Sequence, residues 1–545
     1  MHMRHLHSLF ALLTSATLSA QALLPSSTVA DIASIQRFAA IQPDPQKLTD
    51  VMRGSFPAAL INGRCMVGFL GKKDGGPLPS DDEQVLIGGR IGDIVSFRLD
   101  AYHLERLREL PGLAYAELAS VIQPTLDKVV RDIRADSVQQ GINLPQSYTG
   151  RDVLIGVPDF GFEYAHPMFY DTAMTQTRIL AAWDQYKQSG PMPTAYDYGT
   201  EYATSAEVIA ADHDTIEDGA YDTHGTHTAG IVGGGGAGTN YRGIAFDAKY
   251  LFVSMHHDFA AGLDALLWLQ QKATAEQKRL VVNISWGAVM EVDDGHSLFS
   301  QALDLLSDQG VMLVVANGNF GGGHFHVQHT FAADTLRTRI GFSSPDPTYV
   351  GQRVALWGEA GVPFSTSLTI RNSTNAVLAQ LPWVHTDAAL PFMDTAVVLG
   401  SDTVFVHAVA EQAHPITDRP NVRLLIRRTN TSRRIDLNVA GGSGTVHAWN
   451  ALWWNIGYGW FDQGFTASMP GYAAGDDEYA VGEPACANSV LSVGAYASEV
   501  QVGGGNWTGG EFALFSSLGP TIDDRLKPEI TAPGVNVASS LNSHY

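Results

Sequence analysis

Four near-continuous apolar runs of strand length constrain the fold more than any other feature of the chain: "VLIGV" from Val153, "AKYLFVSM" from Ala248, "KRLVVNIS" from Lys278 and "GVMLVVAN" from Gly310. A strand apolar on both faces is covered on both faces, which is the situation of a parallel strand between helical layers. Helix-length amphipathic segments separate them, "FAAGLDALLWLQQKATAEQ" and "SLFSQALDLLSDQG" among them. The alternation predicts an α/β fold with a doubly wound, mostly parallel sheet, and places function at the carboxyl ends of its strands.

Either side of this pattern the grammar changes. Residues 1–22 combine Arg4, an apolar run too short to span a bilayer and the triplet Ala20-Gln21-Ala22, so they read as a secretory signal. Over residues 23–124, the piece "GDIVSFRLD" alternates like a strand and ends in Asp100, a good N-cap. Leu104, Leu107 and Leu110 then mark one face of an amphipathic helix that stops at Pro111-Gly112, before the strand-like "LAYAELAS". This predicts a small α+β unit. The α/β domain is expected over 125–332 and again over 456–545. Between them, 333–455 holds short strand-like pieces such as "STSLTIRN", "TVFVHAVA" and "RIDLNVAG" with no helix, the pattern of an inserted all-β sandwich or jelly roll.

At 545 residues, with 45% hydrophobic and 17% charged residues, the chain has ample material for several cores. A formal charge of −22 argues against nucleic acid as a partner, because phosphate binding rests on Lys and Arg. No uninterrupted apolar stretch reaches the ~18 residues of a membrane span. Cys65 and Cys486 are the only cysteines and do not make a disulfide framework.

Three short segments carry chemistry. Asp159 in "IGVPDFGFEYAHP" ends a buried strand, where an ionised carboxylate needs a cation or hydrogen-bond donors; a structural cap would fill the same place. His224 in "YDTHGTHTAGIVGG" precedes Gly225 and a run of small residues. A neutral imidazole there can relay a proton if a carboxylate fixes its tautomer. His227 is the competing choice, with a packed helix position as its plainer reading. Asn319 in "VVANGNFGGG" follows a buried strand and Gly318, so its amide can donate to a developing oxyanion, although Asn-Gly-Asn is also ordinary turn chemistry.

In order and spacing, these segments together with "YRGIAFDA", "NISWG" and "FSSLGPTIDDRLKPEITAPGVNVASS" resemble the subtilisin-like serine peptidases. The resemblance covers about residues 125–330 and 480–545, and the N-terminal unit is similar to that family's inhibitory propeptide. It implies that Asp159 orients, His224 is the general base and Asn319 the oxyanion donor. Ser285, Trp286 and Gly287, with Gly318, then bind an extended peptide by strand addition. It also implies a secreted or surface-held enzyme precursor with a polypeptide substrate and its own propeptide as inhibitor. The β-rich insertion is similar to that of the clostridial germination proteases.

Several positions depart from the family pattern: Phe160 replaces a Ser or Thr, Asn317 an alanine, Phe246 a proline, and Trp286 a smaller apolar residue. The nucleophilic serine belongs to a G-T-S-M-A motif after the stretch matched by Thr531–Ser540. Ser539, Ser540 and Ser543 precede that motif, so the chain as it stands is expected to be C-terminally truncated, inactive and poorly stable. A non-catalytic binder of peptide or carbohydrate is the alternative. No cofactor is expected. "HFHVQH" places His324 and His326 on one strand face near His329, yet no acidic or Cys partner makes this a zinc site, and no Asp/Asn-rich loop specifies calcium.

Overall fold

The computed structural model describes residues 22–543 except 25, 53–55, 79–81, 92, 119–125, 217–222, 289–292, 343–350, 389–391, 455–463, 499 and 503–505. The leader read over 1–22 therefore lies, but for Ala22, outside the described residues. The described chain forms two compact units, one up to residue 124 and one from residue 125 onward.

In the first unit, strands Ala58–Ile61, Arg64–Lys73, Val85–Ile91, Ile94–Asp100 and Leu113–Leu118 form an antiparallel sheet that shares a core with helices Ser26–Ile41 and Pro45–Met52. The segment Ala101–Glu109, expected as an amphipathic α-helix, is a 3-10 helix with a break at His103. Asp100 caps it through Tyr102 N, and Leu104, Leu107 and Leu110 are buried. The break at His103 divides the segment into short turns, which the tighter 3-10 winding suits while the apolar face stays buried.

The second unit is built on nine strands. We label those used below β1 (Val153–Asp159), β2 (Ile179–Asp184), β3 (Thr200–Tyr202), β4 (Lys249–Ser254), β5 (Arg279–Ile284), β6 (Met312–Ala316), β7 (Leu491–Ala497), β8 (Glu511–Phe512) and β9 (Ile530–Pro533). The order is β8-β7-β6-β5-β1-β4-β2-β3, with β9 beside β7; all pairs are parallel except β2–β3 and β7–β8. Strand β1 is central because its side chains feed both faces. Leu154 joins the core shared with α2 (Phe259–Ala275) and α3 (Leu298–Asp308), while Ile155 and Val157 join the one that includes Ala229 of α1 (His224–Gly233). Chain direction across the sheet reverses beside β1, so the crevice at the ends of β1 and β5 is where a doubly wound sheet offers a binding site.

The β-rich module runs from His326 to Thr466 as two antiparallel six-stranded sheets. Val354, Val406 and Leu424 from one meet Leu368, Ile435 and Leu437 from the other in a shared core, the arrangement of a sandwich. Asp436, fully buried, accepts from Arg339 Nε at 2.9 Å, Arg371 Nε at 2.5 Å and the Tyr472 hydroxyl at 2.8 Å. Removing one partner of such a group leaves buried charge uncompensated, which costs about 3–5 kcal/mol. Asp436→Ala is therefore expected to lower stability by that order, read as a drop in the urea midpoint at unchanged slope.

Candidate active site

Asp159 is the last residue of β1 and its side chain is wholly buried. Three donors hold it. Its own neighbour's amide, Phe160 N, donates to Oδ1 at 2.7 Å, His224 Nδ1 lies 2.5 Å from the same oxygen, and the Thr228 hydroxyl donates to Oδ2 at 3.0 Å. The hydroxyl donor is thus Thr228, one helical turn after His224. That i, i+4 placement on α1 is the signal by which Thr228 could have been found.

The turn after β1 brings α1 to the carboxylate. Gly225 N donates to Phe160 O at 2.5 Å, Thr226 N to Gly161 O at 3.1 Å, and the Thr226 hydroxyl accepts from Glu163 N at 2.9 Å. A Cβ on Gly225 would stand 2.7 Å from the Phe162 ring, so only glycine lets the helix approach this closely. His224 therefore sits with Nδ1 on Asp159 while about 37% of its side chain remains accessible.

Burial by itself disfavours the charged form of His224. The Asp159 carboxylate and its hydrogen bond outweigh this and raise the imidazole above its ordinary pKa of about 6.5. The paired imidazolium contributes stability that is complete below that ordinary value and is lost as pH rises through the higher folded one. His227 is different: burial, and then the neighbouring His224, push it down, and its ring is not the one that meets Asp159.

His224 faces a cleft of ≈ 840 Å³ that Ser285, Trp286, Gly287, Gly318 and Asn319 also line. The expected catalytic and peptide-binding residues thus border one space, except Asp159, which sits behind His224. Gly318 adopts φ +108° with the Ser517 hydroxyl at 2.6 Å from where a Cβ would be, and this sharp turn carries Asn319 to the cleft. Asn317, the departure two residues earlier, is buried where it borders the cleft, and its amide donates to Ser517 O at 2.8 Å. The stretch Ser285–Ala288 is fastened by a two-way backbone bridge between Ala288 and Glu483. Glu483 lines the cleft as well, and sequence reasoning did not single it out. Trp286 packs beside Phe259 and Phe299, donates its indole N–H to Pro158 O at 2.9 Å, and occupies the space that Gly262 leaves open.

The three C-terminal serines are engaged elsewhere. Ser539 donates to His227 O at 2.7 Å, Ser540 to Thr226 O at 2.8 Å and Ser543 to Glu163 Oε1 at 2.7 Å. The three histidines of "HFHVQH" do not converge either: His324 meets Asp477, His326 meets Asp476 and His329 meets Asp334.

The Subtilase family profile matches residues 150–360 and 416–545, more than half of the chain. The chain belongs to the subtilase family. Among curated relatives, the minor extracellular protease Vpr of Bacillus subtilis (strain 168) is 23% identical over 402 residues, 73% of this chain and 42% of Vpr. The PII-type proteinase of Lactococcus lactis subsp. cremoris is 25% identical over 252 residues, 43% of this chain and 12% of that protein. The chain thus spans less than half the length of these relatives. The CspB protease of Clostridium perfringens superposes with a TM-score of 0.57 over 76% of this chain and 82% of its own, at 20% identity, which speaks to the fold alone. The uncovered part of the family match, 361–415, falls inside the β sandwich.

Because Asp159 is what raises His224, Asp159→Asn is expected to bring the imidazole pKa down to or below about 6.5. An NMR titration of the His224 ring reads this directly, and an unchanged pKa would show that the carboxylate does not set it.

Proposed function

We propose that this subtilase is a secreted serine endopeptidase precursor that hydrolyses peptide bonds through an Asp-His-Ser triad, with Asp159 and His224 as two of its members. The observation that carries the reading is the buried Asp159 bonded to Nδ1 of a His224 that still reaches the cleft. A carboxylate on Nδ1 leaves Nε2 as the basic nitrogen and stabilises the imidazolium that forms.

The serine hydroxyl proton passes to His224 Nε2 as Oγ attacks the scissile carbonyl carbon. The Asn319 amide donates to the oxyanion, and His224 returns the proton to the departing amine as the C–N bond breaks. Water then hydrolyses the acyl-enzyme with His224 again as base. One oxyanion donor of this kind contributes about 3–4 kcal/mol. The nucleophile comes from the G-T-S-M-A motif that in this family follows the stretch matched by Thr531–Ser540. The α+β unit acts as intramolecular inhibitor before maturation, and an extended substrate adds as a strand along Ser285–Gly287.

A second reading is a peptide- or carbohydrate-binding pseudoprotease, whose cleft holds its ligand without turnover. Reaction of the complete reading-frame product with a serine-directed fluorophosphonate separates the two. The peptidase reading expects one labelled serine in a G-T-S motif, with labelling and casein hydrolysis reduced at least about 10³-fold by His224→Ala. A folded product that takes no label would instead leave the binder.

A further inference from the structure

Both crossings between the α/β fold and the sandwich converge on a buried pair of imidazoles. The outgoing segment leaves the cleft at Asn319 and enters the strand His326–Thr330; the returning segment runs from Asp476 to Glu483, back at the cleft. The two are bridged at His326 and Asp476, whose backbones exchange hydrogen bonds at 2.7 and 3.3 Å. His326 is fully buried. Its Nδ1 lies 2.7 Å from Asp476 Oδ1, and its Nε2 lies 3.0 Å from Nδ1 of His447, itself buried on the strand Thr445–Trp454. Tyr479 covers both imidazoles at centroid distances of 4.8 and 4.6 Å, and Trp449, which also contacts both rings, donates its indole N–H to Tyr479 O.

A nitrogen-to-nitrogen contact of 3.0 Å holds only while one proton lies between the two rings. With His326 donating to Asp476, its Nε2 accepts from neutral His447; once His326 is an imidazolium, Nε2 donates to His447 instead. A further proton on His447 would set N–H against N–H in a dry site. We propose that the Asp476–His326–His447 chain is a proton-sensitive positioning device, which holds the crossing segments, and through them the Asn319 and Glu483 walls of the cleft, only while at least one of the two imidazoles is neutral. Its residues touch neither substrate nor reacting atoms. They act through the backbone that they fasten.

The surroundings agree with this. Burial, followed by the neighbouring His326, pushes His447 down to about 3; Arg419 adds in the same direction and Asp476 opposes. Across the sheet His447 faces Gln328 and Trp357, and Trp357 in turn meets His414. From the returning segment it faces Tyr479, on which Asp524, Glu478 and Asp476 act. A depressed pKa means that the unfastened state binds the extra proton. The hold is complete above the ordinary imidazole range and weakens as pH falls from about 6.5 toward about 3, by up to about tenfold in the open population per pH unit.

Hydrogen–deuterium exchange of this chain between pH 7 and pH 5, corrected for the intrinsic exchange rate, tests the device without calling on turnover, so its failure is separate from failure of the peptidase reading. Peptides covering 320–326 and 476–483 are expected to lose up to about tenfold in protection per pH unit below 6.5 while β1 keeps its own. His447→Asn, whose amide nitrogen stands about where Nδ1 does and can keep the bond to His326 without titrating, is expected to abolish that slope and retain protection at pH 7. Should this variant fold poorly, His447→Phe, an aromatic packing replacement, serves for the slope. Equal protection of these peptides at pH 5 and pH 7, simultaneous loss across β1, or a slope unchanged in a folded variant would overturn the proposal.

Discussion

The structure of the site depends on one buried contact, the bond between Asp159 and Nδ1 of His224. A carboxylate with no exposed surface needs donors in place of its water, and here an amide, an imidazole and a hydroxyl supply them. The requirement propagates outward. Strand β1 must deliver the acid at its carboxyl end, the following turn must bind the start of α1, and α1 must be bare enough at Gly225 to come close. A single electrostatic demand thus ties the carboxyl end of β1 to the first turn of α1.

Much of this was legible in the sequence because the relevant signals are local. A strand apolar on both faces that ends in an acid, and a His-Gly that opens a run of small residues, each state their packing within about ten positions. Thr228 was less visible. Its role appears only when the register of α1 is set against an acid nearly seventy residues earlier, and the phenylalanine at 160 suggested only a missing hydroxyl. The 3-10 geometry of Ala101–Glu109 escaped for a different reason: periodicity reports which side chains are buried, not how tightly nine residues wind.

The histidines show the limit of pattern reading more sharply. Alternation along "HFHVQH" groups His324 with His326, but His324 stands before the strand at φ +51° and turns to Asp477. The residues that do meet His326, Asp476 and His447, lie 150 and 121 positions away, brought in by an antiparallel partner strand and a returning segment. Such a cluster is written in topology. Nothing in the spacing of any one segment announces it.

The inserted sandwich therefore need not be a passive addition to a subtilase. It has a core of its own between its two sheets, and Asp436 is satisfied there between two arginines. What it shares with the host is the small cluster of Phe320, Phe325, Trp357, Trp449 and Ala480, joined by Tyr479. Phe320 follows Asn319 directly, and Tyr479 precedes Glu483 by four residues. A joint so near two walls of the cleft transmits any rearrangement of its own packing, because a close-packed interior shifts between discrete arrangements rather than deforming smoothly. Polar groups placed at that joint act on the site without facing it.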